Sequence, residues 1–215
     1  VTRRGIVLLS GGLDSGVAGA VFRRDGGTVV AALFFDYGQR AREREATAAG
    51  RLAERWSAPL LRLELPWLAA LARRSGSRLL AGTGELPHGT ASAPGDEASA
   101  RAVWVPARNA VFVAIAGAHA EALGADTVVA GFNREEAATF PDNSAAFLAA
   151  ATACLGLGTR IGVAVVSPTI DWDKPRIVDE ARRLGFTAAD FWSCYEGGSA
   201  PCGRCESCLR SRWRS

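Results

Sequence analysis

Short apolar runs alternate with longer amphipathic stretches along this chain. Gly5–Leu9 reads as a buried strand stopped by Ser10-Gly11-Gly12, and a helix is predicted from about Asp14 to Arg24. Thr28–Phe35 is a second β-rich run, Arg42–Trp56 has helical composition, and Leu60–Leu65 is a third strand. Farther on, Asn109–Leu123 places Phe112, Ile115, Ala116, His119 and Leu123 on one helical face. Strands are predicted at Thr127–Gly131 and Val163–Ser167, with helices at Ser144–Leu155 and Pro175–Leu184, the last ended near Gly185. Residues 74–102 are rich in Gly, Ser, Pro and Ala without clear periodicity, which predicts a long, mobile loop near the active site. Alternating strands and helices predict an α/β fold, an open and mostly parallel doubly wound sheet with helices on both faces. Ligands in such sheets bind beyond the carboxyl ends of the strands. No internal repeat is visible.

Composition narrows this picture only slightly. A chain of 215 residues suits one domain, or one domain with a small appendage, and can bury a core without disulfides. The division expected is a main domain over 1–190 and a C-terminal segment over 191–215 packed on it. A net charge of +3 is too weak to argue for a nucleic-acid partner, so none is expected. No apolar run reaches membrane-span length. The apolar run after Arg3-Arg4 is too short for a leader and fits a first strand. A cytoplasmic location is expected. Nearly every cation is Arg, and Lys174 is the only lysine.

Candidate chemistry begins at Ser10-Gly11-Gly12-Leu13-Asp14-Ser15, between the first strand and the first helix. Its glycines let the backbone turn tightly and approach an anion. Amides at the helix start, aided by the dipole, can hold phosphate oxygens, and Ser10 and Ser15 add hydroxyls. Asp14 is unusual beside a phosphate unless it meets a bound Mg²⁺ or caps the helix. There is no Gly-Lys-Ser/Thr and no Gly-x-Gly-x-x-Gly. An ordinary glycine turn with an Asp N-cap is the structural alternative. Lys174, at the start of a helix after the fifth strand, supplies a compact point charge near the expected pocket; a surface lysine is its plainer reading.

Cys194, Cys202, Cys205 and Cys208 have the spacing C-x7-C-x2-C-x2-C. Two-residue gaps let neighbouring thiolates reach one ion, and four thiolates make the closed site typical of structural zinc. An iron–sulfur cluster is the main rival. Arg204, Arg210, Arg212 and Arg214 nearby read as a solvated basic end. Cys154 stands alone in an Ala/Leu helix and reads as core.

The six-residue loop resembles the Ser-Gly-Gly-x-Asp-Ser PP-loop of the ATP pyrophosphatase superfamily, which has an adenine nucleotide α-hydrolase-like fold. Members cleave ATP between the α and β phosphates and pass AMP to a substrate oxygen. Further segments resemble one family nearly end to end: Leu8-Leu9-Ser10-Gly11-Gly12-Leu13-Asp14-Ser15, Phe35-Asp36-Tyr37-Gly38-Gln39-Arg40, Val105-Pro106-Ala107-Arg108-Asn109, Phe140-Pro141-Asp142, Trp192-Ser193-Cys194-Tyr195 and the Cys-x2-Cys-x2-Cys tail. These are similar to the QueC family of 7-cyano-7-deazaguanine synthases of queuosine and deazapurine biosynthesis.

The resemblance implies adenylation of 7-carboxy-7-deazaguanine, displacement of AMP by ammonia to give an amide, and dehydration of the amide to the nitrile with a second ATP. It implies nucleotide contacts from Leu8, Leu9, Ser10, Gly11, Gly12, Leu13, Asp14, Ser15, Gly16, Val17 and Ala18, with Asp36 on Mg²⁺ or ribose. It implies catalytic roles for Ser10, Asp14, Ser15, Arg108 and Lys174, the lysine on phosphate. Substrate contacts are expected from Tyr37, Gln39, Arg108, Asn109, Asn133 and Asp142, the polar ones suited to the edge of a deazaguanine and Arg108 to a carboxylate or phosphate. Taken singly, each has a structural alternative as a cap, turn or surface pair. ATP, Mg²⁺ and structural Zn²⁺ are the implied cofactors. Deazaguanine carboxylate and ammonia are the implied partners, and a homodimer is left open.

Two departures stand out. Ala41 follows Gln39-Arg40 where the family usually has His. The segment usually read as Asn-x-Glu-Asp-Tyr-Ser-Gly-Tyr-Pro-Asp-Cys-Arg is here Asn133-Arg134-Glu135-Glu136-Ala137-Ala138-Thr139-Phe140-Pro141-Asp142-Asn143-Ser144. An intact phosphate loop beside a drifted substrate segment raises an alternative: a relative that stops at the amide, or joins a deazaguanine acid to another amine. A PP-loop tRNA-modifying enzyme is a further reading, which needs a sulfur carrier or cluster near the pocket where Cys154 is the only spare cysteine. A non-catalytic zinc and nucleotide adaptor is another, excluded by AMP release that depends on Asp14 and Ser15.

Overall fold

In the computed structural model, which describes residues 2–87 and 97–211, the predicted strands become β1 (Arg4–Leu8), β2 (Thr28–Asp36), β3 (Leu60–Glu64), β4 (Thr127–Val129) and β5 (Ala164–Val166). They form one sheet in the order β3-β2-β1-β4-β5, and every neighbouring pair is parallel. Parallel pairing requires crossovers. These run through α1 (Leu13–Arg24), α2 (Arg42–Arg55), α3 (Pro66–Arg74), α4 (Glu97–Val103), α5 (Arg108–Ala122), α6 (Arg134–Ala137) and α7 (Ala145–Gly158), while α8 (Lys174–Arg183) and α9 (Glu206–Arg210) follow β5.

Both faces of the sheet are covered, as the near-continuous apolar strands require. Val7, Ala32 and Phe34 face one core with Val17 of α1, Leu52 of α2 and Ile177 of α8. Ile6, Leu33 and Val128 face the other with Leu68 of α3, Ala116 of α5 and Leu155 of α7. The strand order reverses between β1 and β4, so a crevice opens beyond their carboxyl ends. The loop at Ser10–Ser15 leaves β1 at that point.

Three expectations need correction. The helix after the loop starts at Leu13, with Gly12 as an N-cap that makes no side-chain cap bond, so Asp14 does not cap it. On α5 the buried stripe is Val113, Ala116, Gly117 and Ala120, rotated from the predicted face, and Leu123 is exposed. Close approach explains the rotation. A Cβ on Gly117 would lie 2.6 Å from the Leu155 side chain, so the helix packs through its smallest residues. The stretch 74–102 is not one structureless loop where it is described. It holds the end of α3 and most of α4, and the fully buried Leu80 anchors the part between. Arg40 N–H donates to Leu79 O, and Ala81 N–H to Gly38 O. Apolar Leu79, Leu80 and Leu86 outweigh the local Gly and Ser content there. The centre of that stretch, and Arg212 and Arg214, lie outside the described residues.

Candidate active site

The crevice holds a cavity of about 270 Å³ reached by Ser10, Asp14, Ser15, Tyr37, Gln39, Arg108, Asn109 and Lys174 among the expected site residues. Leu8, Leu9, Gly12 and Leu13 also line it. Gly16, Val17 and Ala18 are buried within α1 and lie off the lining. Asp36, Asn133 and Asp142 lie off it too.

One end of the cavity is the loop itself. Ser10 N–H donates to Ser15 Oγ at 3.2 Å, the two hydroxyls are 3.0 Å apart, and Gly12 N–H donates to Ser10 Oγ at 3.2 Å. These bonds hold the turn before any ligand arrives. Gly11 sits at φ +78°, and a Cβ there would be 2.2 Å from Glu45 O on α2. Only glycine permits both that conformation and that approach. Gly131, beyond β4, closes the other side, since a Cβ on it would lie 2.6 Å from Ser15 N. The first turn of α1 therefore faces the crevice without a side-chain cap, the arrangement that receives anions.

Lys174 reaches this end from the first position of α8, where Asp173 caps the helix by accepting from Arg176 N–H at 3.0 Å. Its Nζ donates to Asp14 Oδ2 at 2.5 Å and lies 3.2 Å from Glu136 Oε1. Burial alone would pull the lysine down, but Asp14 and Glu136 together hold it above its ordinary value, so it is a fixed cation. Burial pushes the Asp14 carboxyl up against the opposing pull of Lys174, and Asp14 Oδ1 has no protein partner. Burial also acts upward on Glu136, but Lys174 and Arg210 outweigh it and keep Glu136 below the usual carboxylate range. Arg210 of α9 lies 3.7 Å from Glu136, so the C-terminal segment reaches the same cluster.

The opposite end is assembled from distant segments. Arg108 begins α5 behind Ala107, a non-glycine residue at φ 52°, and its Nη1 donates to Tyr37 Oη at 3.1 Å. Burial works to lower Arg108, while Tyr37 and Asp142 more than offset it, so the guanidinium stays charged. Phe112 stacks on Phe35 with centroids 4.1 Å apart and planes 6° from parallel. Asn109 Nδ2 donates to Asp142 O at 3.1 Å, tying the 141–143 turn to α5. Asn133 caps α6 through Oδ1, accepting from Glu136 N–H at 2.9 Å, and its Nδ2 is buried without a protein partner. Asp36 accepts from Arg62 at 2.5 Å and from Gly38 N–H at 3.1 Å.

The four cysteines of the tail come together, their Sγ atoms all within 4.8 Å of one another. Cys202 and Cys208 Sγ are 4.0 Å apart, near the ~3.8 Å edge of a thiolate tetrahedron with metal–sulfur bonds of about 2.3 Å. Backbone N–H groups of Glu196 and Cys202 both donate to Cys194 Sγ at 3.3 Å. Such donors suit thiolates, and the set fits a closed structural metal site. This segment also builds the cavity. Trp192 N–H donates to Gly11 O at 2.9 Å, and Ser193 and Tyr195 line the wall. Cys154 is exposed on α7 rather than in the core.

The sequence reading did not assign Glu45, Phe112, Gly131, Glu136, Ser193, Tyr195 or Arg210 to the site. Ser193 and Tyr195 had a signal, being part of the quoted Trp192–Tyr195 motif. Glu45 and Gly131 had none, because only the packing of α2 and β4 against the loop brings them there.

Fold and site together define a PP-loop type α/β enzyme. Two solved structures share the fold, each with a TM-score of 0.50. One is the U34-tRNA thiolase NcsA from Methanococcus maripaludis with its [4Fe-4S] cluster, 14% identical, with 86% of this chain and 58% of that one covered. The other is the NH3-dependent NAD synthetase from Campylobacter jejuni, 20% identical, with 87% and 66% covered. Sequence relatives narrow the class. A family model described as queuosine biosynthesis protein QueC matches residues 4–214. A protein of Pelotomaculum thermopropionicum named 7-cyano-7-deazaguanine synthase is 46% identical, over 96% of this chain and 94% of its own length. One of the same name from Bdellovibrio bacteriovorus is 44% identical, over 96% and 90%. The chain belongs to the QueC family.

Proposed function

We propose that the protein is an ATP-dependent carbon–nitrogen ligase that converts 7-carboxy-7-deazaguanine and ammonia to 7-cyano-7-deazaguanine through an adenylate and an amide, releasing AMP and pyrophosphate. The observation that carries this reading is the single cavity joining the Ser10–Ser15 loop to Arg108 and Tyr37, in a chain 46% identical to a named synthase over 96% of its length.

The chain's residues divide the work. Amides of the loop and of α1 receive phosphate oxygens, and Ser10 and Ser15 keep the turn in shape. Lys174, held charged, supplies positive potential where charge develops on the leaving pyrophosphate. Asp14 Oδ1, buried and unpartnered, suits a magnesium ion, which would neutralise phosphate charge when bound. Arg108 pairs with the carboxylate of the deazaguanine, and the apolar surface of Phe112 and Tyr195 shields the adenylate from water. Cys194, Cys202, Cys205 and Cys208 hold structural zinc, which fixes the wall carrying Ser193 and Tyr195. The segment 133–144 is tied to the site through Glu136 and the Asn109–Asp142 bond. No described helix is long and apolar enough to cross a membrane; we place the enzyme in the cytoplasm with its small-molecule substrates.

The test is incubation with ATP, Mg²⁺, ammonium and 7-carboxy-7-deazaguanine, with nucleotides and deazapurines identified by mass spectrometry. AMP, pyrophosphate and nitrile are expected. AMP with an amide end-point would move the function to the alternative ligase, and no AMP at all would reject adenylation.

A further inference from the structure

Three carboxylates line the cavity among the described residues: Asp14, Glu45 and Glu136. Lys174 contacts the first at 2.5 Å and the third at 3.2 Å, and Arg210 adds to the third. Both are committed to cations. Glu45 differs. It stands in the first turn of α2, whose backbone packs against Gly11 of the loop. Its side-chain hydrogen bond comes from a neutral group: Gln39 Nε2 donates to Glu45 Oε2 at 3.0 Å.

Gln39 cannot turn its amide the other way. Tyr37 N–H donates to Gln39 Oε1 at 2.9 Å, while Gln39 Nε2 also donates to Phe35 O at 2.9 Å, and the residue is buried. Gln39 therefore offers Glu45 one fixed donor. A carboxylate oxygen accepts it, and so does the carbonyl oxygen of a neutral carboxyl. The site tolerates Glu45 in either protonation state, which is what a group that takes up and gives back a proton needs. The sequence reading placed Gln39 on substrate; here its hydrogen bonds hold the backbone and Glu45.

We propose that Glu45 is the proton acceptor for the nitrogen of the substrate. The assignment rests on the function proposed above. Two steps of that reaction must strip protons from nitrogen. In the first, ammonia attacks the acyl adenylate, the C–O bond to AMP breaks, and the new C–N bond leaves a surplus proton on nitrogen. In the second, the amide oxygen attacks the α-phosphorus of ATP and pyrophosphate leaves. Loss of one N–H proton gives a neutral O-adenylated imidate. Loss of the other puts its electron pair into the C–N bond as the C–O bond breaks, giving nitrile and AMP. Glu45 takes up a proton at nitrogen and returns it to water, which its half-buried position allows.

The surroundings suit the task. Burial pushes the Glu45 carboxyl up to about 7. The Gln39 donor and Arg108 of α5 oppose the shift, and Asp36 at the end of β2 adds to it. On its own helix, Glu43 is held by Arg62 and does not compete. An acceptor works in its ionised form, so the rate should rise with pH through about 7.

The test compares wild type with Glu45→Gln and Glu45→Asp in two assays. One is ATP–pyrophosphate exchange driven by 7-carboxy-7-deazaguanine, which removes no N–H proton. The other is conversion of the supplied amide to nitrile between pH 5.5 and 8.5. Glu45→Gln should slow amide conversion about 100-fold or more and lose the acid limb of the pH profile, with exchange within about threefold of wild type. Glu45→Asp should keep part of the rate and the limb. If Glu45→Gln keeps both, the assignment is overturned. It is overturned equally if both variants lose exchange along with nitrile, since Glu45 would then serve only to hold α2 against the loop. If wild type itself makes no nitrile, the function proposed above falls, and this assignment with it.

Discussion

At the phosphate end of the cavity, Ser10 to Ser15 lie on one loop, and their hydroxyls and amides bond to one another within it. At the acceptor end, Tyr37, Arg108, Phe112 and Tyr195 arrive from three separate segments, and a 3.1 Å bond from Arg108 to Tyr37 spans 71 residues of chain. The first end is shaped mainly by six consecutive residues between a strand and a helix, with Gly131 and Lys174 added from farther along the chain. The second exists only when β2, α5 and the cysteine segment are packed in place. On the function proposed above, recognition of phosphate is largely local, and recognition of the acceptor is a property of the whole fold.

The comparison can be broken hardest at Lys174, which reaches the phosphate end from α8. Lys174→Ala would leave Asp14 and Glu136 facing each other without their cation. AMP release should fall about 100–1000-fold, and stability by about 3 kcal/mol. Rapid-quench assays and denaturant unfolding read the two effects. A normal rate would remove the lysine from the phosphate site.

Next in size is the cysteine segment. Cys205→Ala should lower bound zinc, measured by atomic emission, and reduce Tm by roughly 10 °C, because the closed site contributes folding energy directly. Trp192 bonds to the loop and Tyr195 lines the acceptor end, so the KM for both ATP and the deazaguanine acid should rise. Unchanged kinetics in metal-depleted protein would separate the segment from the cavity.

A narrower test concerns the acceptor end alone. Arg108→Lys keeps the charge but loses the planar fork. The KM for the deazaguanine acid should rise about tenfold, on the order of 1.4 kcal/mol, while the KM for ATP stays put. A matching rise in both would mean that the two ends do not act separately.

The smallest effect is expected at Ala107, whose left-handed backbone sets the start of α5. Ala107→Gly should raise stability by about 1 kcal/mol with little change in rate, since glycine adopts that conformation without a Cβ penalty. Loss of stability would show that the Ala107 methyl group is needed for packing.

The phosphate loop, the five strands and the cysteine cluster were all legible in the chain, to within a few residues at their edges. Each is specified by short-range spacing. Glycines at a strand end, short continuous apolar runs and two-residue gaps between thiolates act over a few residues and leave a mark on the sequence itself. The rest followed from what packs on what. Gly131 looks like any glycine until β4 brings it within reach of Ser15, and the α5 face could be chosen only by the small residues that meet Leu155. Glu45 reads as one acid in an Arg- and Glu-rich helix, and nothing near it in the chain distinguishes it from the exposed Glu43. Its place in the cavity, beside a neutral donor and away from the lysine that ties its two fellow carboxylates, is set by the docking of α2 against Gly11. The sequence alone determined that a phosphate loop and a metal site would form, because their donors are neighbours in the chain. Which carboxylates are committed to a cation, and which is left to move protons, was decided by the tertiary structure, because burial and charge pairing depend on groups that meet only in the fold.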